Sequence, residues 1–360
     1  MRLEIEQPKL AALLSSVTNA VEKRNTLPVL ANILLKADGN TLTAVATDLD
    51  LEVTTTAEAT VTTPGATTVN AATLSAIVAK LTKGKLVTLA VADGVLQVTS
   101  GRSNLSLATL PIEDFPHLAS AEYTATFSAP QDQVQRLLDL SSFAMSTEET
   151  RYYLQGVYLH SVNGKARAAA TDGHRLAQID CQLEAEFPGV IVPRKTVALV
   201  RGLLGDGECV VSVSETKVKV DLGHTVVVSK VIDGTFPDYT RIIPTSHKSE
   251  VVVSAADVKQ AAALVSLVSG EKVRAVKVGV SGAVLTLTVR SGAEVGVEEV
   301  DAVLTGDDVE AGFNSKYLAD ILQQCNGDNA VFKFNSGLDP VVIRPEDDPL
   351  SLFVCMPMRA

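Results

Sequence analysis

Leu3-Glu4-Ile5 leading into Leu10-Ala11-Ala12-Leu13-Leu14, Ala125-Thr126-Phe127 leading into Val134-Gln135-Arg136-Leu137-Leu138, and Val251-Val252-Val253 leading into Val258-Lys259-Gln260-Ala261-Ala262 share one pattern, a short strand and then an apolar helix. Their starts lie about 125 residues apart, the size of an ordinary domain. A second helix recurs at the same interval, opening at Val69-Asn70-Ala71, Val192-Pro193-Arg194 and Phe313-Asn314-Ser315. Apolar residues follow at helical spacing in Leu74-Ile77-Val78-Leu81, Val197-Leu199-Val200-Leu203-Leu204 and Leu318-Ile321-Leu322. Between helices, alternating runs at 86–91 and 209–213 read as strands, and Asp93-Gly94, Asn163-Gly164 and Ser281-Gly282 as turns. Two rows also echo each other, Ala46-Thr47-Asp48-Leu49-Asp50 and Ala170-Thr171-Asp172-Gly173-His174. Each repeat therefore reads as two helices on roughly eight short strands, an α+β class, with domains expected at 1–122, 123–247 and 248–360.

Composition agrees with several cores. The chain has 360 residues, 46% hydrophobic and 20% charged, long enough for two or three domains. Aromatic residues are only 4% and Trp is absent, while Val, Ala, Leu and Thr dominate, favouring β-branched strands among Ala/Leu helices. No apolar run reaches the roughly eighteen residues of a membrane span, and Met1-Arg2-Leu3-Glu4 opens an alternating pattern instead of a signal peptide, so a cytoplasmic location is expected. Cys181, Cys209, Cys325 and Cys355 lie far apart with no C-x-x-C, which predicts buried free thiols, no metal and no cofactor.

A formal charge of −11 argues against nucleic acid until its distribution is considered. The six expected helices and their ends carry Lys9, Lys23, Arg24, Lys80, Lys83, Lys85, Arg136, Arg194, Lys195, Arg201, Lys259, Lys272 and Lys316 against Glu22, Asp132, Asp139, Asp257, Glu271 and Asp320. That leaves the helices near +7 and the rest near −18. Helices sharing one face would meet phosphates without reading bases; helix-forming Lys and Arg on any solvated face give the same count.

Arg151-Tyr152-Tyr153-Leu154, Ala170-Thr171-Asp172-Gly173-His174-Arg175-Leu176-Ala177, Val192-Pro193-Arg194-Lys195, Phe236-Pro237-Asp238-Tyr239 and Val354-Cys355-Met356-Pro357-Met358-Arg359 together resemble the bacterial sliding clamp family, the beta subunit of DNA polymerase III. The resemblance runs the whole length. It implies three similar domains of the DNA clamp fold, two helices on antiparallel sheets in each, and a six-domain ring formed by a head-to-tail homodimer around double-stranded DNA. The expected partners are the polymerase III catalytic subunit, the clamp loader, and other polymerases and repair proteins carrying clamp-binding motifs.

The resemblance also implies sites. A hydrophobic groove for partner peptides would be walled by Leu154, Thr171, Gly173, His174, Arg175, Leu176, Pro237, Arg241, Ile242, Pro340, Val354, Met356, Pro357, Met358 and Arg359. Flexible Met side chains suit a shared docking site, although Met356 and Met358 also suit plain core filling. DNA contacts would come from Arg24, Lys80, Tyr152, Tyr153, Arg194 and Lys195, while Glu148 and Glu149 put two acids beside that loop. The contact between copies would set Leu105 and Leu107 against Leu267 and Val268, flanked by Arg102, Lys272 and Glu298; the family often has an aromatic where Leu105 stands.

Two other classes are weighed against the ring. Asp172 beside His174 invites a hydrolase, yet no G-x-S-x-G, H-E-x-x-H, G-x-x-x-x-G-K-[ST] or Rossmann glycine pattern accompanies it, and Thr171-Asp172-Gly173 reads equally as a turn capped by Asp. A peptide-binding scaffold of repeats would share the groove and hold no DNA. Retention on circular against linear DNA separates it from a clamp.

Overall fold

The computed structural model describes residues 1–22, 27–268 and 275–359. Two compact units result, 1–132 with 195–231, and 133–194 with 232–360. The division runs through the second repeat because its strands complete two different sheets.

In the first unit thirteen strands form one sheet, from Ala125–Pro130 at one end to Thr60–Thr63 at the other. Thr225–Lys230, the last strand of the second repeat, pairs antiparallel with Leu51–Glu58 of the first, Leu51 opposite Ser229. In the second unit twelve strands form the sheet, and Ser351–Cys355 pairs with Arg175–Glu184, Arg175 opposite Cys355. The same join is thus made twice: the strand that closes one repeat pairs with the fourth strand of the repeat before it.

Period-two alternation makes these strands. Leu3 and Ile5 of Arg2–Glu6 are buried while Arg2, Glu4 and Glu6 are exposed, so one face turns to the core. At Asp93-Gly94 and Asn163-Gly164 both residues take positive φ, the pairing of a two-residue hairpin turn. Six α-helices are found among the described residues: α1 Gln7–Thr18, α2 Ala71–Lys80, α3 Gln131–Ser142, α4 Arg194–Leu203, α5 Ala255–Ser266 and α6 Ser315–Leu322. Asn70 caps α2 by accepting from the Thr73 amide, and Asn314 caps α6 by accepting from Lys316 and Tyr317. The helices pack on the sheets through Leu10, Leu14, Leu74, Leu318 and Ile321, each at most 1% exposed, and every such side chain contributes about 1.5–3 kcal/mol by leaving water.

Helix ends correct the charge reading. α1 stops at Thr18 and α2 at Lys80, where the chain turns extended at Leu81. Lys83 and Lys85 therefore fall outside helix, while Lys23, Arg24, Glu271 and Lys272 lie outside the described residues. Eight basic residues remain in the helices (Lys9, Lys80, Arg136, Arg194, Lys195, Arg201, Lys259, Lys316) against Asp132, Asp139, Asp257 and Asp320, a net of +4 in place of +7.

The echoing rows are one turn built twice. Leu49 N donates to Thr47 Oγ1 at 3.1 Å, and Asp50 N and Leu51 N donate to Asp48 Oδ1 at 3.0 and 2.8 Å. Gly173 N donates to Thr171 Oγ1 at 3.1 Å, and His174 N and Arg175 N donate to Asp172 Oδ1 at 2.9 and 3.0 Å. Leu49 and Gly173 both take left-handed backbone, φ +80° and +89°.

Candidate functional site

At the second of these turns glycine takes without strain a backbone that Leu49 adopts in the first. Position 173 has positive φ, and a Cβ there would stand 2.8 Å from Arg151 Nη1. The turn leaves His174 exposed at its tip, and Met356 N donates to the His174 carbonyl at 2.8 Å. Two residues on, Met358 N donates to Gly312 O at 2.8 Å. The segment Met356-Pro357-Met358 is thereby stitched between two strands with Met358 41% exposed.

Val354, two residues before this segment, belongs to an apolar cluster. Leu154, Leu176 and Val354 pack with Ala169, Ile191, Phe236, Tyr239 and Val342, all under 9% exposed. Phe236 and Tyr239 bring with them the loop bearing Pro237, Arg241 and Ile242, whose side chains remain at the surface. Thr171 is buried, its hydroxyl donating to Arg175 O at 2.6 Å. Pro340 is half-buried just before the strand Val341–Pro345, which pairs with Ser351–Cys355, and Arg359 is exposed. The unit thus combines a buried apolar cluster with exposed His174, Pro237, Ile242 and Met358 on segments adjoining it in sequence.

Arg175 braces the turn. Only 9% exposed, it donates from Nε to Asp172 Oδ2 at 3.1 Å and from Nη1 to Asp320 Oδ2 at 2.5 Å. Its guanidinium also lies 4.7 Å from the ring centre of Tyr317 and 5.2 Å from that of Phe143. Asp172 is fully occupied by Arg175 and the two turn amides, and the His174 ring stacks on Tyr317, so the pair is a capped turn and no Asp–His dyad.

Tyr317, Asp320, Phe143, Phe236, Tyr239 and Val342 join this site without having been named as site residues from the sequence. Phe236 and Tyr239 stood in the quoted F-P-D-Y motif; Tyr317 and Asp320 had only their place on the repeated second helix as a signal.

The basic candidates behave differently. Lys80 is exposed at the end of α2, and Tyr152 is 53% exposed. Tyr153 packs partly on the apolar cluster. Arg194 donates to the carbonyls of Met145 and Ser146 at 2.9 and 2.6 Å, and burial with the nearby charge of Arg175 lowers its pKa. Lys195 meets Asp48 at 2.5 Å, Glu22 at 3.4 Å and the Ala20 carbonyl at 2.9 Å, so its charge is largely matched within the fold. Arg24 lies outside the described residues, and Glu148 pairs with Arg151 at 3.3 Å.

Of the interface candidates, Leu105 and Leu107 are half-buried on Ser103–Leu110, whose residues 103–108 pair with Val95–Ser100 on one side only. Arg102 is exposed in the preceding turn. Leu267 is 82% exposed after α5, Val268 lies against Gly296, and Glu298 is half-buried on Glu294–Thr305. Residues 294–301 of that strand likewise have a partner on one side, Val284–Ser291, among the described residues. Lys272 lies outside the described residues.

No group of three or more His, Cys, Asp and Glu is placed to hold a metal among the described residues. None of the described helices is long and apolar enough to cross a membrane.

Family profiles of the DNA polymerase III beta subunit match in three parts: the N-terminal domain at residues 1–119, the central domain at 128–238 and the C-terminal domain at 240–359. The beta sliding clamp of Caulobacter vibrioides is 42% identical and that of Escherichia coli 33% identical, each over the whole of both chains. Among solved structures, the sliding clamp of Bartonella birtlesii bound to griselimycin superposes with a TM-score of 0.97 at 38% identity, and that of Caulobacter crescentus with 0.93 at 41%, again covering all of both chains.

Proposed function

This chain belongs to the family of DNA polymerase III beta subunits, the beta sliding clamps, and we infer that it is the non-catalytic processivity factor of DNA replication. Two copies joined head to tail close a six-domain ring around duplex DNA, without reading sequence, and tether the polymerase III catalytic subunit. The clamp loader, other polymerases and repair proteins with clamp-binding motifs share the same docking groove. The protein works in the cytoplasm and needs no cofactor of its own.

One observation carries the ring. The closing strand of the second repeat pairs with the fourth strand of the first, and the closing strand of the third pairs with the fourth strand of the second. The same rule leaves two ends unused: the closing strand Ser103–Leu110 of the first repeat and the start of Glu294–Thr305 in the third. Each is paired on one side only over part of its length among the described residues, and one follows Arg102 while the other bears Glu294, Glu298 and Glu299. A second copy supplies what each lacks, which is heterologous pairing that closes.

Domains at 1–122, 123–247 and 248–360 follow from this repeat. The groove of Leu154, Thr171, Gly173, His174, Arg175, Leu176, Pro237, Arg241, Ile242, Pro340, Val354, Met356, Pro357, Met358 and Arg359 takes partner peptides. Arg24, Lys80, Tyr152, Tyr153, Arg194 and Lys195 contact phosphates. With Lys195 and Arg194 already engaged, those contacts are weak, which lets the ring slide, since escape requires breaking a protein interface. Tethering then raises the polymerase's effective concentration at the template.

The test is topological. Loaded onto nicked circular DNA, the protein should co-elute with the circles and be released when they are cut; equal retention on linear DNA, or none on circles, rejects the clamp.

A further inference from the structure

Residues 232–243, which carry the groove wall of Pro237, Arg241 and Ile242, are weakly tied to the sheet by backbone. Ile232 N reaches Ile191 O at 2.9 Å, and Ile243 N returns to Thr240 O within the loop itself. The Asp238 carboxylate is used locally, by Thr240 at 2.6 Å and Arg241 at 2.8 Å. Position must come from side chains.

Four rings supply it. Tyr158 and His160, two residues apart on the strand Gly156–Val162, point to one face and stack with centroids 4.4 Å apart. Phe236 of the loop stacks on the other side of Tyr158 at 4.9 Å and 8°. Tyr239 stands edge-on to both His160 and Phe236, at 5.8 and 6.2 Å. Stacking alone allows sliding; a hydrogen bond fixes the register. The Tyr239 hydroxyl and His160 Nε2 are 3.0 Å apart. His160 Nδ1 is buried without a hydrogen-bond partner among the described residues, so the bond to Tyr239 holds the imidazole together with its stack on Tyr158. Behind it, Arg167 holds Asp180 at 2.6 and 3.0 Å. Burial, helped by the Arg167 charge, lowers the His160 pKa to about 4, so the ring is neutral at working pH.

We propose that Tyr239 and His160 are positioning residues of the docking groove, their hydrogen bond setting where Pro237 and Ile242 stand, with Tyr239 acting from within the buried cluster. Tyr239 is 5% exposed and lies behind the wall it places. The proposal rests on the groove reading above and adds a determinant of affinity that a ligand does not touch.

Griselimycin, bound in the Bartonella birtlesii relative, serves as probe for the full-length chain, with affinity measured well below the melting temperature. Tyr239→Phe and His160→Phe should each weaken binding three- to tenfold, and the double variant should bind no worse than either, because both remove one bond. Met356→Ala is the control for the groove itself. If Met356→Ala weakens binding while Tyr239→Phe leaves it unchanged, or if the two ring variants add fully, the positioning role is overturned. If Met356→Ala has no effect either, the groove reading fails and takes this proposal with it.

Discussion

The rings of His174 and Tyr317 stack 5.8 Å apart with 17° between their planes, joining the tip of a strand turn to the first turn of α6. Neither residue is near the other in sequence. A partner that inserts beside His174 therefore meets a surface already held flat. Tyr317→Ala should weaken griselimycin binding about fivefold to tenfold, the worth of one aromatic pair, with the chain still folded by circular dichroism.

Arg175→Met leaves Asp172 and Asp320 facing a buried gap. Loss of one partner from a buried ion network costs about 3–5 kcal/mol, and urea denaturation should record a shift of that order. Asp320→Asn, which keeps the shape and an acceptor, should cost less.

The half-paired edge at 103–108 predicts a second effect of charge. Leu107→Asp would set a carboxylate toward the acidic edge of 294–299, and sedimentation at nanomolar concentration should find monomers where the parent chain stays dimeric. A variant as dimeric as the parent would count against this pairing of edges.

His160 gives stability a pH dependence. Its folded pKa is about 4 against 6.5 for the free side chain, with Arg167, Asp180, Tyr158 and Tyr239 facing it. Below pH 6.5 the unfolded chain binds a proton that the folded chain refuses. Its contribution is complete above that pH and falls away down to about 4, by about 1–2 kcal/mol after allowance for solvent. Asp348 acts lower: burial raises its pKa, but donors from Ser351 and Arg136 outweigh this and depress it, so its contribution is lost only below the ordinary Asp range. His160→Gln should flatten the upper window in urea titrations and leave the lower one.

The four cysteines are buried and unpaired, with pKa values pushed up by burial to about 11 at Cys209 and about 12 at Cys325 and Cys355. A thiol reagent at neutral pH should find almost no reactive groups until denaturant is added.

Periodicity was enough to read the repeats, the strand-helix openings and the hairpin turns, because each depends on neighbours a few residues away. Helix ends were not legible: Lys83 and Lys85 continue a basic run, yet the chain has already left α2, and Gly84 takes positive φ. The charge of Lys195 was read from its type, whereas its partners Glu22 and Asp48 come from far along the chain and only the fold brings them together. Tyr317 and Asp320 were missed for the same reason. The residues proposed for the groove sit in local motifs; those that brace them, Tyr317 and Asp320, arrive from another helix.

The two copies of the Thr-Asp turn keep their hydrogen bonds to within 0.2 Å of each other yet present opposite chemistry. In one, Asp50 is bound to Lys230 at 2.8 Å; in the other, His174 stacks on Tyr317 and its carbonyl accepts from Met356 N. A single architectural joint thus carries an ion pair at one station and an aromatic stack at the next. Changing three tip residues, with no change to the backbone beneath them, is enough to tell the two apart.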